Sequence, residues 1–442
     1  MEILIKILQL LLSLSILVIF HEMGHFLAAK MFRTRVEKFY LFFNPWFSIF
    51  KINFKGTEYG LGWLPLGGYV KISGMIDESM DKEAMKQPPK AYEFRSKPAW
   101  QRLIIMLGGV IVNVILAMVI YVFMLYTWGE SYLPTTEVNK YGIAVDSLGV
   151  EMGLRDGDKI ISIDGTIVED FHKIPITIIL NEAKYILVER DSMIMNVKIP
   201  SGSIGKMIKQ ENTNLISYRI PYEVEKLDPE SPAKEAGMQA GDKLIALNGK
   251  PYKFFNEYTK EIPLLKGEDI TITALRGESD TVVFNFRVPE EGHIGVWRVA
   301  ASEFYSFNTR DFSFVEAIPA GITKGYQGIG DYLKQLRLLF SKEVKAYESV
   351  GGFITIGSIF PSEWDWQRFW RLTAFLSIML AILNVLPIPA LDGGHVMFLL
   401  YEIIARRKPS DKFMEYAQIM GMILIFALLI YANGNDIAKL FR

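Results

Sequence analysis

The stretch that decides the fold is His21-Glu22-Met23-Gly24-His25, near the end of the first hydrophobic run of the chain. On a helix this spacing puts two imidazoles one turn apart on the same face, where they can serve as two ligands of one tetrahedral Zn²⁺. The glutamate between them remains free to act as a base on water at the metal. The motif therefore predicts a catalytic zinc site with His21 and His25 as ligands and Glu22 as the general base.

The surroundings of this motif are apolar. Between Ile3 and Phe20 the strongly polar residues are Lys6 and Gln9, and apolar residues follow directly at 26–29. Ionisable groups inside such a segment are costly, so they are candidates for function. The alternative is a helix end at which polar residues merely reach the membrane interface. We favour the metal site, because the motif is matched completely in a chain with five histidines.

Composition limits the class of protein. The 442 residues suffice for two or three domains, and 50% of them are hydrophobic. A formal net charge of −1 without a dominant basic stripe argues against a nucleic-acid partner. The chain has no cysteine, which excludes disulfides and thiolate metal ligands. The first run lacks a small-residue cleavage site, so we interpret it as a retained membrane span.

Four segments are long and apolar enough to cross a bilayer, which needs about 20 apolar residues. We predict transmembrane helices in residues 1–32, 103–128, 369–395 and 414–432. Pro387 and Pro389 stop the third helix near Leu386. The expected fold is a polytopic α-helical membrane protein in contact with lipid, with domains inserted between its spans.

Basic residues predict the orientation of the spans. They are dense in the connection 33–102 and in the short connection before the fourth span, and include Arg33, Arg35, Lys38, Lys51, Lys55, Lys71, Arg95, Lys97, Arg406, Arg407, Lys408 and Lys412. Basic loops stay on the cytoplasmic side. Both termini and the region 129–368 are therefore expected outside.

The connection 33–102 contains an apolar, glycine-rich segment at residues 59–70 that is too short to span as a helix. Its glycines and prolines suit bent strands or a β-hairpin at the membrane. Strands beside a zinc site could offer a backbone edge to an extended substrate, which makes Gly67 and Gly68 candidates for substrate binding. A membrane-surface hairpin without a substrate role is the alternative.

The region after the second span contains an internal repeat. The block at 153–165, with Asp158 and Asp164-Gly165, recurs 84 residues later at 237–249. A glycine turn, an alternating strand and an Asp/Asn-Gly turn indicate a small β-rich module. The block resembles the PDZ domain, so we predict two PDZ-like domains, at 133–213 and 216–290. Their grooves could bind peptides by strand addition, or the domains could act sterically.

Residues 291–368 carry apolar residues at helical spacing, interleaved with lysine and arginine: Val315, Ile318, Ile322, Tyr326, Ile329, Leu333, Leu336 and Phe340. This pattern predicts amphipathic helices on the membrane or against the modules. Pro319 and several glycines argue against one continuous helix.

A zinc ion held by two histidines needs a third protein ligand. The candidate is in Asn384-Val385-Leu386-Pro387-Ile388-Pro389-Ala390-Leu391-Asp392-Gly393-Gly394-His395. Broken backbone at membrane depth is tolerated mainly where it is buried or lines a cavity. A carboxylate there is expensive unless it meets a metal, so Asp392 is the predicted third ligand.

These motifs, in this order, resemble the site-2 protease family of intramembrane zinc metalloproteases. The resemblance covers almost the whole chain, including Gly56–Tyr59 and Pro65–Lys71. It implies that His21, His25 and Asp392 bind Zn²⁺, that Glu22 is catalytic and that Asn384 holds substrate. His395 belongs to the motif without being a ligand in the family. Two family prolines are missing, at Val110 and Phe353, which puts local helix geometry in question.

The resemblance implies a multi-pass protease of the bacterial inner membrane with its PDZ-like domains in the periplasm. Its substrates would be single-span membrane proteins, such as anti-sigma factors and remnant signal peptides, and the PDZ-like pair would act as a size filter. A membrane-anchored PDZ scaffold with a structural metal site is the alternative from another class. A transporter is disfavoured by four spans without repeated membrane halves.

Overall fold

The computed structural model describes residues 1–65, 67–75, 88–209, 215–277, 279–341 and 351–441. The chain divides into two units, which we call the helical unit and the β-rich unit. The helical unit comprises Met1–Gly129, Asp311–Arg337 and Ala346–Arg442, and the β-rich unit comprises Glu130–Arg310 and Leu338–Lys345. Part of the predicted cytoplasmic connection, at 76–87, and the predicted end of the first module at 213 lie outside the described residues.

In chain order the helices are α1 (Glu2–Met31), α2 (Ala99–Trp128), α3 (Thr135–Val138), α4 (Ser147–Glu151), α5 (Ile174–Leu180), α6 (Ser203–Lys209), α7 (Pro232–Glu235), α8 (Phe255–Glu261), α9 (Phe314–Leu338), α10 (Phe353–Ser358), α11 (Trp366–Val385), α12 (Asp392–Ala405) and α13 (Asp411–Leu440). The strands are β1 (Val36–Leu41), β2 (Phe50–Phe54), β3 (Thr57–Leu61), β4 (Tyr69–Ile72), β5 (Glu130–Tyr132), β6 (Ile143–Val145), β7 (Lys159–Ile163), β8 (Tyr185–Arg190), β9 (Met193–Lys198), β10 (Ile216–Tyr218), β11 (Val224–Leu227), β12 (Lys243–Leu247), β13 (Lys250–Pro251), β14 (Asp269–Arg276), β15 (Asp280–Arg287), β16 (Val296–Arg298) and β17 (Asn308–Arg310).

Four helices of the described chain, α1, α2, α11 and α13, are long and apolar enough to cross a membrane. They confirm the expectation of a polytopic helical protein combined with β-rich structure. The fourth helix is longer than the predicted 414–432. It begins at Asp411, where the Ser410 hydroxyl accepts a hydrogen bond from the Phe413 amide at 3.3 Å. A side-chain cap of this kind starts a helix before its apolar run begins.

The third span stops where the prolines predicted, near Leu386, so the predicted range 369–395 is not one helix. Helix α11 ends at Val385 and α12 begins at Asp392, with irregular backbone between them. Pro387 and Pro389 cannot continue a helix, and Ala390 adopts a left-handed conformation with φ 79°. Gly393 lies so close to the chain before it that a Cβ there would be 2.1 Å from the Leu386 carbonyl oxygen. The turn that presents Asp392 therefore requires glycine at 393.

The connection after α1 forms a four-stranded sheet in the order β2-β3-β1-β4. Strand β3 is parallel to β1 and β4 is antiparallel to it. The glycine-rich segment at 59–70 therefore contributes to two strands, as one predicted alternative has it, and is not a hairpin, because its two ends lie on opposite sides of β1. Such pairing between strands distant in sequence leaves no local turn signal.

Helix α9 is continuous through Pro319, contrary to the sequence expectation. Its glycines serve close packing instead of breaking the helix. A Cβ on Gly321 would lie 2.5 Å from a Val122 side-chain carbon, and one on Gly325 would lie 2.6 Å from Met118. Small residues allow two helices to approach closely, so α9 packs tightly against α2.

The β-rich unit contains two hydrophobic cores. The first includes Leu133, Ile216 and Tyr305, and the second runs from Tyr222 to Ile294. The transition therefore falls after Ile220, later than the predicted boundary at 213–216. The reason is the antiparallel pairing of β10 with β6, because it places the first residues of the predicted second module in the first core.

The repeat noted in the sequence is also a repeated ion pair. Arg190 binds both carboxylate oxygens of Asp158 at 2.7 Å, and Arg276 binds those of Asp242 at the same distances. Burial opposes ionisation of Asp242, yet the hydrogen bonds from Arg276 hold its pKa below the ordinary value. The Asp164 and Asn248 turns both have positive φ, 46° and 51°. Each copy therefore contains the same arginine–aspartate ion pair and the same type of turn.

Candidate metal centre

Helices α1 and α2 meet through glycines beside the histidine motif. A Cβ on Gly24 would lie 2.2 Å from the Gly108 carbonyl oxygen, and one on Gly108 would lie 2.5 Å from the Gly24 carbonyl oxygen. A Cβ on Gly109 would lie 2.5 Å from His25 Nε2. These contacts require glycine, because any side chain would separate the helices or displace the imidazoles.

Three side chains converge on one point. Oδ2 of Asp392 lies 3.2 Å from His21 Nε2 and 3.3 Å from His25 Nε2. The two Nε2 atoms are 3.3 Å apart. The predicted ligands therefore form an almost equilateral triangle, although Asp392 is far from the histidines in sequence.

This triangle fits Zn²⁺. Bonds of about 2.0–2.1 Å to a tetrahedral zinc ion put neighbouring ligand atoms about 3.3–3.4 Å apart, close to the observed distances. Oδ2 of Asp392 is buried and has no hydrogen-bond donor, which leaves it available to a cation. Two imidazoles and one carboxylate leave a fourth position open, as in catalytic zinc sites.

The orientation of His25 is fixed by α2. Its Nδ1 lies 2.8 Å from the Ile105 carbonyl oxygen. Because a carbonyl only accepts, Nδ1–H donates and Nε2 keeps its lone pair for the metal. This contact was not predicted, since nothing in the sequence pairs a backbone carbonyl of one span with a side chain of another.

Three of the other predicted residues line a cavity of about 410 Å³. Glu22, Gly68 and His395 line it together with the three converging residues. The Asn384 amide nitrogen is 3.3 Å from His21 Nε2. Gly67 does not line this cavity; a Cβ there would lie 3.1 Å from the Phe43 ring.

The two positions at which the family has proline, Val110 and Phe353, lie in different structures. Helix α2 runs unbroken through Val110 to Asn113. Gly352 precedes α10, and its amide donates to Asp436 Oδ2 at 3.0 Å. The Phe353 amide donates to Asn433 Oδ1 at 3.3 Å, a bond that proline could not make. Neither position disturbs the triangle of ligands.

A unit with four membrane-length helices that gathers two histidines, an aspartate and a glutamate around one cavity has the features expected of a membrane metallopeptidase. The chain belongs to peptidase family M50, whose family model matches residues 9–428. Zinc is its metal, in agreement with the donor set. The chain is a membrane zinc metalloprotease.

Individual relatives span nearly the whole chain. A protein of Campylobacter jejuni named as a zinc metalloprotease is 29% identical, over 99% of this chain and 94% of its own length. A Neisseria meningitidis protein with the same kind of name is 28% identical, over 97% and 98%. The regulator of sigma E protease of Haemophilus influenzae is 27% identical, over 97% of both chains.

Proposed function

We propose that the protein is an intramembrane endoprotease that cuts single-span membrane proteins within or beside their transmembrane helix. The observation that carries this proposal is the triangle of His21, His25 and Asp392 beside Glu22, in one cavity of a unit built from membrane-length helices. Ionisable groups in such a position are expensive without a function.

In the proposed reaction His21, His25 and Asp392 hold zinc. When bound, zinc polarises the scissile carbonyl and lowers the pKa of water toward about 7. Glu22 accepts a proton from the attacking water and passes it to the leaving amine. The Asn384 amide, beside His21, orients the substrate backbone.

The substrate must be extended before it can react, because a helical carbonyl is shielded and hydrogen-bonded. Strand β4 is an edge of its sheet, and its residues Tyr69 and Val70 line the cavity after Gly68. An edge strand beside a cavity can bind an extended segment by strand addition. We assign this edge, with Gly67 and Gly68 before it, to substrate binding.

The two repeat modules of the β-rich unit are proposed to be PDZ-like domains in the periplasm, with the enzyme in the bacterial inner membrane. The name of the Haemophilus influenzae relative supports substrates of the anti-sigma factor type, and remnant signal peptides have the same single-span form. The modules would act as a size filter that excludes substrates with a bulky outer domain.

Orientation is testable because the chain has no cysteine. Lys90 and Glu230 are exposed in their respective units. An impermeant thiol reagent added to intact spheroplasts should label Glu230→Cys and spare Lys90→Cys until the membrane is opened. The reverse pattern contradicts the proposed orientation.

A membrane-anchored PDZ scaffold with a structural metal site is the second candidate. The three-ligand cluster among the described residues argues against it, since structural zinc sites have four protein ligands. A scaffold would show no proteolysis in any form.

Glu22→Gln separates the two candidates. Its amide keeps the shape of the glutamate but cannot accept the proton, so zinc content should stay at the wild-type level while cleavage falls about 10²–10⁴-fold. Zinc analysis and cleavage of one single-span substrate by purified wild type and variant measure both. Undiminished turnover in the variant would move the base elsewhere.

A further inference from the structure

Each zinc-binding imidazole must offer the lone pair of Nε2 and therefore carries its proton on Nδ1. For His25 that proton goes to the Ile105 carbonyl at 2.8 Å. For His21 the group next to Nδ1 is the Asn113 amide, whose Nδ2 lies 3.2 Å away. With His21 in the metal-binding tautomer, one donor would face another.

The rest of the Asn113 side chain points to the same conflict. The residue is 0% exposed, and its Oδ1 is buried without a hydrogen-bond partner. The nitrogen and oxygen of an amide have nearly the same shape, so their assignment follows from the hydrogen-bond network. Turning the amide by 180° brings Oδ1 to Nδ1 of His21. The oxygen gives up no hydrogen bond in this turn, because no donor contacts it in its present position.

We propose that Asn113 is a positioning residue whose side-chain oxygen accepts the Nδ1–H of His21. This hydrogen bond fixes the tautomer and ring plane that direct Nε2 of His21 toward the metal. It is the counterpart of the Ile105 carbonyl at His25, so α2 orients both histidines of α1. The inference rests on the proposed ligand role of His21.

The backbone of Asn113 is held in place independently. The Ser377 hydroxyl of α11 donates to the Asn113 carbonyl at 2.7 Å, and both residues are buried. Ser377→Ala removes a buried hydrogen bond at the same residue while leaving the amide side chain intact. It is therefore a matched control for loss of the side-chain acceptor.

The test is the affinity of the purified full-length protein for zinc, measured by competition with a chelator at constant pH. Asn113→Leu keeps the approximate volume and removes the acceptor, so zinc should bind about 10–100-fold more weakly. Asn113→Asp keeps an oxygen acceptor and should restore affinity to near the wild-type value. Ser377→Ala should leave it near wild type. Thermal unfolding of the zinc-free proteins shows that each variant folds.

Each other outcome overturns the proposal. Wild-type affinity in a folded Asn113→Leu protein removes the positioning role. Equal loss in Asn113→Leu and Asn113→Asp assigns the effect to packing. Asn113→Ala, which empties space instead of filling it, supplies the comparison with the aspartate variant should the leucine variant not fold.

His21→Ala is measured in parallel to separate this inference from the proposed function. Wild-type zinc affinity in His21→Ala would overturn the ligand assignment itself. Strong loss in His21→Ala with no loss in Asn113→Leu would overturn the positioning role alone.

Discussion

At the scale of single residues, Gly109 shows how little space the centre allows. A Cβ at this position would lie 2.5 Å from both His21 Cε1 and His25 Nε2. Only hydrogen fits between α2 and the two imidazoles. The glycine therefore limits where the two imidazoles, the proposed ligands, can lie.

We expect Gly109→Ala to weaken zinc binding by about one to two orders of magnitude, because overpacking of this kind costs about 1–3 kcal/mol. Chelator competition measures the effect. Gly330→Ala is the control, since a Cβ there meets nothing within 4 Å. Unchanged zinc affinity in Gly109→Ala would mean that α1 and α2 can separate without moving the ligands.

The residues of the site differ in how far sequence predicts them. His21, Glu22 and His25 lie on one helix, so their spacing alone predicts their geometry. Asp392 was predictable as the third ligand because a carboxylate in irregular backbone at membrane depth is costly unless it meets a metal. The contacts of Gly24 with Gly108 and of His25 with Ile105 join two spans whose relative rotation is set by packing. A sequence records small residues in both spans but not which of them meet.

At the scale of elements, helix α12 is attached to α2 by a buried ion pair. The Arg102 guanidinium lies 2.5 Å from Glu402 Oε1, and their side chains are 9% and 15% exposed. Asp392 starts α12, and Ile105 and Asn113 belong to α2. The ion pair therefore helps to hold Asp392, the proposed ligand, beside the helix that contacts both histidines.

Glu402→Leu should destabilise the protein by about 3–5 kcal/mol, because it leaves Arg102 buried without its partner. It should also weaken zinc binding. The double variant Arg102→Met/Glu402→Leu should recover most of the loss, since an apolar pair often replaces a buried ion pair at little cost. Chemical denaturation and zinc titration of the single and double variants measure both effects.

The control for this pair is Arg368→Met. Arg368 and Asp365 form an ion pair at 3.4 Å with side chains 62% and 41% exposed. Removal of such a pair changes stability by about 0–1 kcal/mol. If Glu402→Leu costs no more than this control, the buried ion pair does not hold α12.

Elements were predictable where the signal was local. The apolar runs predicted the four long helices, and the repeated block predicted a strand in each copy, which the structure shows as β7 and β12. The order β2-β3-β1-β4 was not predictable, because it depends on pairing across long stretches of sequence. The continuity of helix α9 was not predictable, because a glycine that packs against a neighbouring helix looks the same in sequence as a glycine that ends a helix.

At the scale of the whole molecule, the segment Glu130–Arg310, the main part of the β-rich unit, begins and ends on paired strands. Strands β5 and β17 are antiparallel, with Glu130 opposite Arg310 and Tyr132 opposite Asn308. This segment can therefore be excised by joining Gly129 to Asp311 through a short linker. A module of 80–90 residues is about 25 Å across.

If the unit is a size filter, the excised enzyme should cut a single-span substrate that still carries a folded outer domain. The intact enzyme should cut this substrate only after the domain has been removed. A substrate without the domain, cut by both enzymes, is the control. Zinc content checks that the excised form keeps its centre. Continued rejection of the bulky substrate by a zinc-loaded excised enzyme would contradict the filter.

The pairing of β5 with β17 also means that the segment between them can be exchanged as one piece, which we call the cassette. Because its first and last strands are hydrogen-bonded neighbours, the two attachment points, Gly129 and Asp311, can stay where they are when its interior grows, shrinks or is exchanged. A related chain could carry one module, or three, between the same two helices with the same zinc centre. The preferred substrate size could then change through the cassette alone, while the residues that perform the reaction stay unaltered.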